Sequence, residues 1–179
     1  MATRSRLFCE HTRVYFGSRF RRDQRGAAAI EFGLIGGMLI MLTCFWIELG
    51  LTLFMQATLD NAVRKEARLI RTGQITASGA STFKANLCSD LSVLMSCTGV
   101  QVNVVSASTF AALASSSTVP SDASSRMTTT GFAPGGSGAD VVVQVGYTRP
   151  IYIPIVDNVL GKNGTLLIYS AVAFQNEPY

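Results

Sequence analysis

A single carboxylate, Glu31, stands about one turn inside a long apolar run and poses the first chemical question of the sequence. An unpaired acid in the middle of a membrane helix costs roughly 2.5–3.5 kcal/mol on insertion scales. Cys88 and Cys97 are the next residues with chemistry of their own. Eight residues separate them, so a local disulfide is feasible in an oxidising compartment. Two free thiols, or one cysteine packed as a small hydrophobe, are the alternatives. There is no Cys-x-x-Cys pair, which speaks against a redox couple or a zinc site. The only histidine is His11, ahead of the apolar run. The rest of the chain therefore lacks a Ser-His or Cys-His nucleophile pair and any histidine metal ligand. Its acids, Asp60, Glu66, Asp90, Asp122, Asp140, Asp157 and Glu177, are scattered without metal-loop spacing, and no phosphate-cradling glycine loop occurs. Lys65, Lys84 and Lys162 remain as conceivable bases, with nothing to single one out. These residues point away from an enzyme and from any cofactor or metal. A membrane-anchored enzyme would need one acid or lysine whose replacement abolishes turnover.

The elements around Glu31 are set by charge and hydropathy. Residues 1–25 carry seven arginines against two acids, whereas the rest of the chain carries eight basic and nine acidic residues. The basic balance is thus local. It reads as the cytoplasmic flank of a first membrane span rather than as a nucleic-acid site. From Gly26 to Met55 the only charges are Glu31 and Glu48. About twenty residues cross a hydrocarbon core of about 30 Å, so Ala27 to Trp46 or Ile47 suffices. Glu48 then falls at the outer interface beside Trp46 and reads as a solvated carboxylate there. The run is too long for a secretory signal peptide, and its small residues precede rather than follow it. Ala29, Gly33 and Gly37 supply the small side chains that let helices approach closely in lipid, Gly33 and Gly37 forming a GxxxG pair.

Beyond the span, Leu59, Ala62, Val63, Ala67 and Ile70 recur at helical steps, with Asp60 four residues before Arg64. Arg68, Arg71 and Gly73 fit a helix end. One helix over 27–72 would run roughly 70 Å at 1.5 Å per residue; two helices broken near Gly50 are the alternative. Phe83, Leu87, Leu91, Leu94 and Met95 then predict a short amphipathic helix capped by Ser81 or Thr82. Val100, Val102 and Val104 alternate with polar residues as in a half-buried strand. Residues 106–139 are rich in Ser, Thr, Ala and Gly and read as a long exposed loop, with one helical turn around Phe110–Ala114. Val141–Val145 is a strand, Pro150–Ile155 an edge or crossing strand, and Leu166–Phe174 the last strand. Strands following helices without βαβ alternation predict an α+β fold with a small antiparallel sheet packed on the long helix. The expected organisation is a leader over 1–26, a transmembrane helix over 27–55, its amphipathic continuation over 56–73, and a small α+β domain over 74–179.

The basic leader, Gly26, and then Glu31 and Phe32 opening an apolar helix together resemble the processing site of the Tad (Flp-type) class of type IV pilins. Ile47-Glu48-Leu49-Gly50, the stretch Ala62–Gln74 and the closing Phe174–Tyr179 look like TadE-like pseudopilins. Lys65-Glu66-Ala67 departs from the Glu-Gly-Ala of many members, which leaves the TadE and TadF siblings both open. The resemblance implies that a prepilin peptidase cuts between Gly26 and Ala27. It also implies a single-span inner-membrane protein with its C-terminal domain in the periplasm, and it names other pilin subunits and Tad inner-membrane assembly proteins as partners. Cleavage would give Ala27 a free α-amino group and make Glu31 the fifth residue of the mature chain. A carboxylate beside ammonium groups at a helix N-terminus is no longer stranded, since opposite charge and the helix dipole both stabilise it. By analogy Glu31 would meet a neighbouring subunit's N-terminus and set register; pairing with Ala27 of its own chain is the alternative. A different class of reading is an unprocessed, membrane-anchored binding or adhesion module whose contact surface is the loop over 106–139.

Overall fold

The computed structural model describes residues 25–116 and 125–179. The leader, with His11 and Cys9, lies outside the described residues apart from Arg25 and Gly26. The chain divides into two units, Met1–Cys44 and Phe45–Tyr179. The division falls within helix α1, which spans Arg25–Arg71 without a break at Gly50.

In the first unit the described residues form the start of α1, and they are almost all exposed. Ile30, Leu34, Ile35, Met38, Leu39 and Ile40 have no apolar cover, as suits a helix whose solvent is lipid. By length and composition α1 is able to cross a membrane.

The second unit is α+β. Its elements after α1 are α2 (Ala80–Leu91), β1 (Val100–Ala107), α3 (Phe110–Ser116), β2 (Gly131–Phe132), β3 (Asp140–Pro150), α4 (Pro154–Leu160) and β4 (Thr165–Gln175). The sheet order is β2-β1-β3-β4. β1, β3 and β4 are antiparallel, with Val104 opposite Val143 and Val143 opposite Val172. The two-residue β2 joins β1 in parallel, which makes the sheet mixed where the sequence suggested purely antiparallel pairing.

One sheet face meets helices. Leu59, Ala62, Val63, Ala67 and Ile70 of α1, with Phe83, Leu87 and Leu91 of α2, are buried in one core with Val100, Val104, Val141, Val143, Val145 and Ile168. The three- and four-residue spacing on α1 meets the two-residue spacing on the strands, so each period sorts its apolar residues to the same interface. α2 is fastened to α1 by a Lys65–Asp90 ion pair at 2.8 Å, which holds the Lys65 ammonium above its usual value. It is also held by Asn86 Nδ2, which donates to the buried Glu66 carboxylate at 3.1 Å. A disulfide between Cys88 and Cys97, with Cα atoms 5.3 Å apart, pins the chain leaving α2 just ahead of β1.

The opposite face is covered too, and here the sequence reading needs correction. Alternation placed Gln101 and Asn103 toward solvent. Asn103 is instead buried and donates from Nδ2 to Gln144 Oε1 at 2.8 Å across the β1–β3 pair. The cover comes from the stretch read as an exposed loop over 106–139. In it α3 lies over β1 and β3, Leu113 and Met127 are buried, and Gln101 exchanges two hydrogen bonds with the Met127 backbone. The residues of that loop at 117–124 lie outside the described residues. With both faces covered, all but the end of β3 is buried, and a polar pair there must satisfy itself.

Three local expectations also change. α2 starts at Ala80 without a Ser81 or Thr82 cap, because the 3₁₀ turn Ala77–Gly79 runs directly into it. Asp60 accepts from Gln56 Nε2 at 3.1 Å and makes no ion pair with Arg64. Pro154 opens α4 rather than continuing a strand, since its missing N–H costs nothing at the first helical position.

α1 ends as its glycine suggested. Gly73 has φ +74°, with Gly73 N–H donating to Ile70 O and Gln74 N–H to Leu69 O, a Schellman closure. The Tyr179 ring covers this glycine so closely that an added Cβ would lie 2.6 Å from it. Glu177 N–H donates to Arg71 O at 3.0 Å, so the C-terminal tail seals the helix end. Gly73→Ala is expected to lose about 1–2 kcal/mol through the left-handed backbone, plus the displaced ring. A lowered denaturation midpoint checks this, with Tyr179→Ala in the same background recovering the steric part.

Candidate functional site

Apart from the disulfide pair Cys88 and Cys97, the site residues singled out from the sequence lie on the first turns of α1. Gly26, Ala27, Ala29, Glu31, Phe32, Gly33 and Gly37 are exposed. A Cβ built on Gly26, Gly33 or Gly37 would meet nothing within 4 Å. These glycines therefore fill no tight space among the described residues. Ala29, Gly33 and Gly37 recur every four residues, so they form one strip of minimal side chains along the helix. Against such a strip a second helix approaches closely, its backbone stacked on the glycines. Glu31 has no hydrogen-bond or ion-pair partner among the described residues, and Phe32 beside it is exposed. Only Gly36 is approached within the helix, its Cβ position lying 4.0 Å from the Phe32 ring. Cys44 is a free thiol on the exposed helix surface.

The second carboxylate of the apolar run behaves in the opposite way. Glu48 is buried at 5% exposure, so the reading as a solvated group at the membrane mouth is wrong. Arg149, from the end of β3, reaches it with Nη2 at 3.1 Å from Oε1, each side chain 7% exposed. Arg149 Nη1 also donates to Thr52 Oγ1 at 2.6 Å, and Tyr152 N–H donates to Glu48 Oε1 at 3.2 Å. Thr52 Oγ1 in turn donates to Glu48 O at 2.8 Å, one helical turn back. Four groups thus lock the β3–α4 connection onto α1 within the second unit. The pairing joins residues 101 apart in sequence, and only the presence of an acid in so apolar a run signalled it.

Two buried polar groups, Gln144 in β3 and Asn176 just past β4, serve the fold. Gln144 supports the Tyr169 hydroxyl, whose pKa burial pushes up and this hydrogen bond pulls down. Asn176 Nδ2 donates to Pro134 O at 2.9 Å and Gly136 O at 3.0 Å, anchoring the stretch before β3. Among the described residues no group of three or more His, Cys, Asp or Glu side chains gathers as a metal site would require.

Residues 26–68 match the family model described as TadE-like protein. The match starts at Gly26, in the first turn of α1, and ends one turn short of the Schellman closure. It covers the processing-site motif and most of the helical motif that resemble that family in the sequence, and it does not extend to Leu69–Gln74 or to the closing Phe174–Tyr179. No curated protein and no solved structure matches the chain.

Proposed function

We propose that this chain is a minor pilin or pseudopilin that serves assembly or priming of an adhesive Flp-type (Tad) pilus. The observation that carries the reading is the TadE-like match beginning at Gly26, with Glu31 and Phe32 at the spacing of a pilin processing site. The protein acts by packing and not by catalysis. A prepilin peptidase removes residues 1–26 on the cytoplasmic side, and Ala27 becomes the N-terminus of a single-span helix whose α+β head lies in the periplasm. The strip of Ala29, Gly33 and Gly37 faces a neighbouring pilin helix. Glu31, unpartnered among the described residues, meets the neighbour's terminal ammonium and fixes the axial register. A carboxylate in lipid gains far more from such a partner than it would in water, because no solvent competes. The rigid head, tied to α1 by the Glu48–Arg149 pair, then presents a fixed surface to other subunits and to Tad inner-membrane assembly proteins.

Glu31→Gln separates processing from assembly. The variant keeps Gly26, so cleavage is expected to proceed. Loss of the charge removes the register contact, and co-purification with pilin subunits is expected to fall by about tenfold or more, the change that 1.4 kcal/mol gives. Normal piliation by a fully cleaved Glu31→Gln protein would sink the register role.

A further inference from the structure

β4 is the last strand of the sheet, and one of its edges is open. Natural sheets blunt exposed edges with charge, proline or a bulge, yet Thr165–Gln175 contains no charged residue and no proline. Near its start the edge is occupied, since Ser125 Oγ donates to Thr165 O and Gln56 Nε2 to Tyr169 O. From Ala171 to Gln175 no group other than β3 takes the backbone, among the described residues. Beside this length α1 presents Arg64, Arg68 and Arg71 on one helical face. Together with Val172–Phe174 they enclose a groove of about 520 Å³. Arg71 Nε meets Glu177 at 3.1 Å, so the groove already holds one carboxylate from the chain's own tail. Arg64 and Arg68 are exposed and have no carboxylate partner among the described residues.

We propose that this groove receives an extended acidic segment of a partner protein, added to β4 as a further strand with its carboxylates beneath Arg64 and Arg68. Backbone pairing along Ala171–Gln175 supplies affinity, and Val172 and Phe174 form an apolar floor for alternate side chains. The exposed methyls of Ala171 and Ala173 leave the approach to the edge clear. The two arginines select acidic sequence and fix the strand's direction, as charge complementarity does at interfaces generally. A second copy of β4 would bring these arginines against their equivalents, so a homotypic edge pair is disfavoured. The groove lies wholly within the second unit, and this assignment does not depend on cleavage at Gly26.

The test uses the full-length chain in detergent and a short fluorescein-labelled peptide of alternating Val and Glu, read by fluorescence anisotropy. Two control peptides carry Lys for Glu, or N-methyl groups on alternate amides. The acidic peptide is expected to bind and to slow amide exchange at residues 171–175, while both controls fail. Arg64→Ser with Arg68→Ser is expected to weaken binding about tenfold, the change that two partly screened ion pairs give, with unaltered thermal unfolding. The proposal is overturned if the acidic peptide does not bind. Equal binding of the Lys peptide, protection elsewhere than β4, or self-association of the chain through β4 would overturn it as well.

Discussion

Arg149→Ala is expected to destabilise the head by about 3–5 kcal/mol, a large share of the stability of a domain this size. The loss does not measure the attraction between Arg149 and Glu48. It arises because removing the guanidinium leaves a carboxylate in a site only 7% exposed, with one backbone N–H from Tyr152 as its remaining donor. Glu48 Oε2 already has no hydrogen-bond partner, so nothing nearby stands ready to compensate. The Thr52 hydroxyl loses its contact with Arg149 at the same time. Replacing both charges, as in Glu48→Leu with Arg149→Met, is expected to recover most of the loss, because two apolar side chains incur no desolvation cost. Denaturant unfolding of the detergent-solubilised chain, followed by near-ultraviolet circular dichroism, checks the set. If Arg149→Ala lies within about 1 kcal/mol of the parent, the pair behaves as a solvated surface contact, and the rigid tie between α1 and β3 must be given up.

Phe83→Ala is expected to cost a similar 3–5 kcal/mol by a different route. Phe83 is fully buried and its ring centroid lies 5.6 Å from that of Phe132. It therefore connects α2 to the short strand β2 as well as to the α1 core. The Cys88–Cys97 disulfide holds the C-terminal part of α2 in place, which limits how far the helix can collapse into the space left behind. Phe83→Leu should lose much less, since most of the volume is kept. The same unfolding measurement decides. A loss under about 1 kcal/mol for the alanine variant would mean that α2 is a peripheral element, not part of the core.

Much of this fold could be read from residue spacing. Both ends of α1 were legible because its first half is apolar apart from Glu31 and Glu48, its second half repeats at helical steps, and Gly73 supplies the left-handed residue that closes it; the spacing alone left a break near Gly50 open. β1, β3 and β4 were legible from alternating valines and from the apolar run before Gln175. What alternation could not reveal was the second covered face. Asn103 reads as solvent-facing because a polar residue between valines usually is; it is buried because Leu113 and Met127 lie in a stretch dominated by Ser, Thr and Ala. Pro154 suits the start of a helix as well as the edge of a sheet, and only the tertiary fold selects between them.

The candidate site divides along the same line. Gly26, Glu31 and the strip of Ala29, Gly33 and Gly37 are local patterns on one helix, so sequence alone locates them. The Glu48–Arg149 pair is a contact between remote segments, and no local pattern states which arginine a buried acid will find. The two carboxylates of the apolar run thus have distinct chemistry. Glu48 pairs with Arg149 inside its own chain, whereas Glu31 is exposed and unpartnered among the described residues.

The proposed function requires the working protein to begin at Ala27. Intact-mass measurement of the chain extracted from membranes that contain the prepilin peptidase tests it most directly, with a Gly26→Val variant beside it. The parent is expected to have lost residues 1–26 and the variant to retain them. A parent chain that keeps its leader in the presence of the peptidase would contradict it.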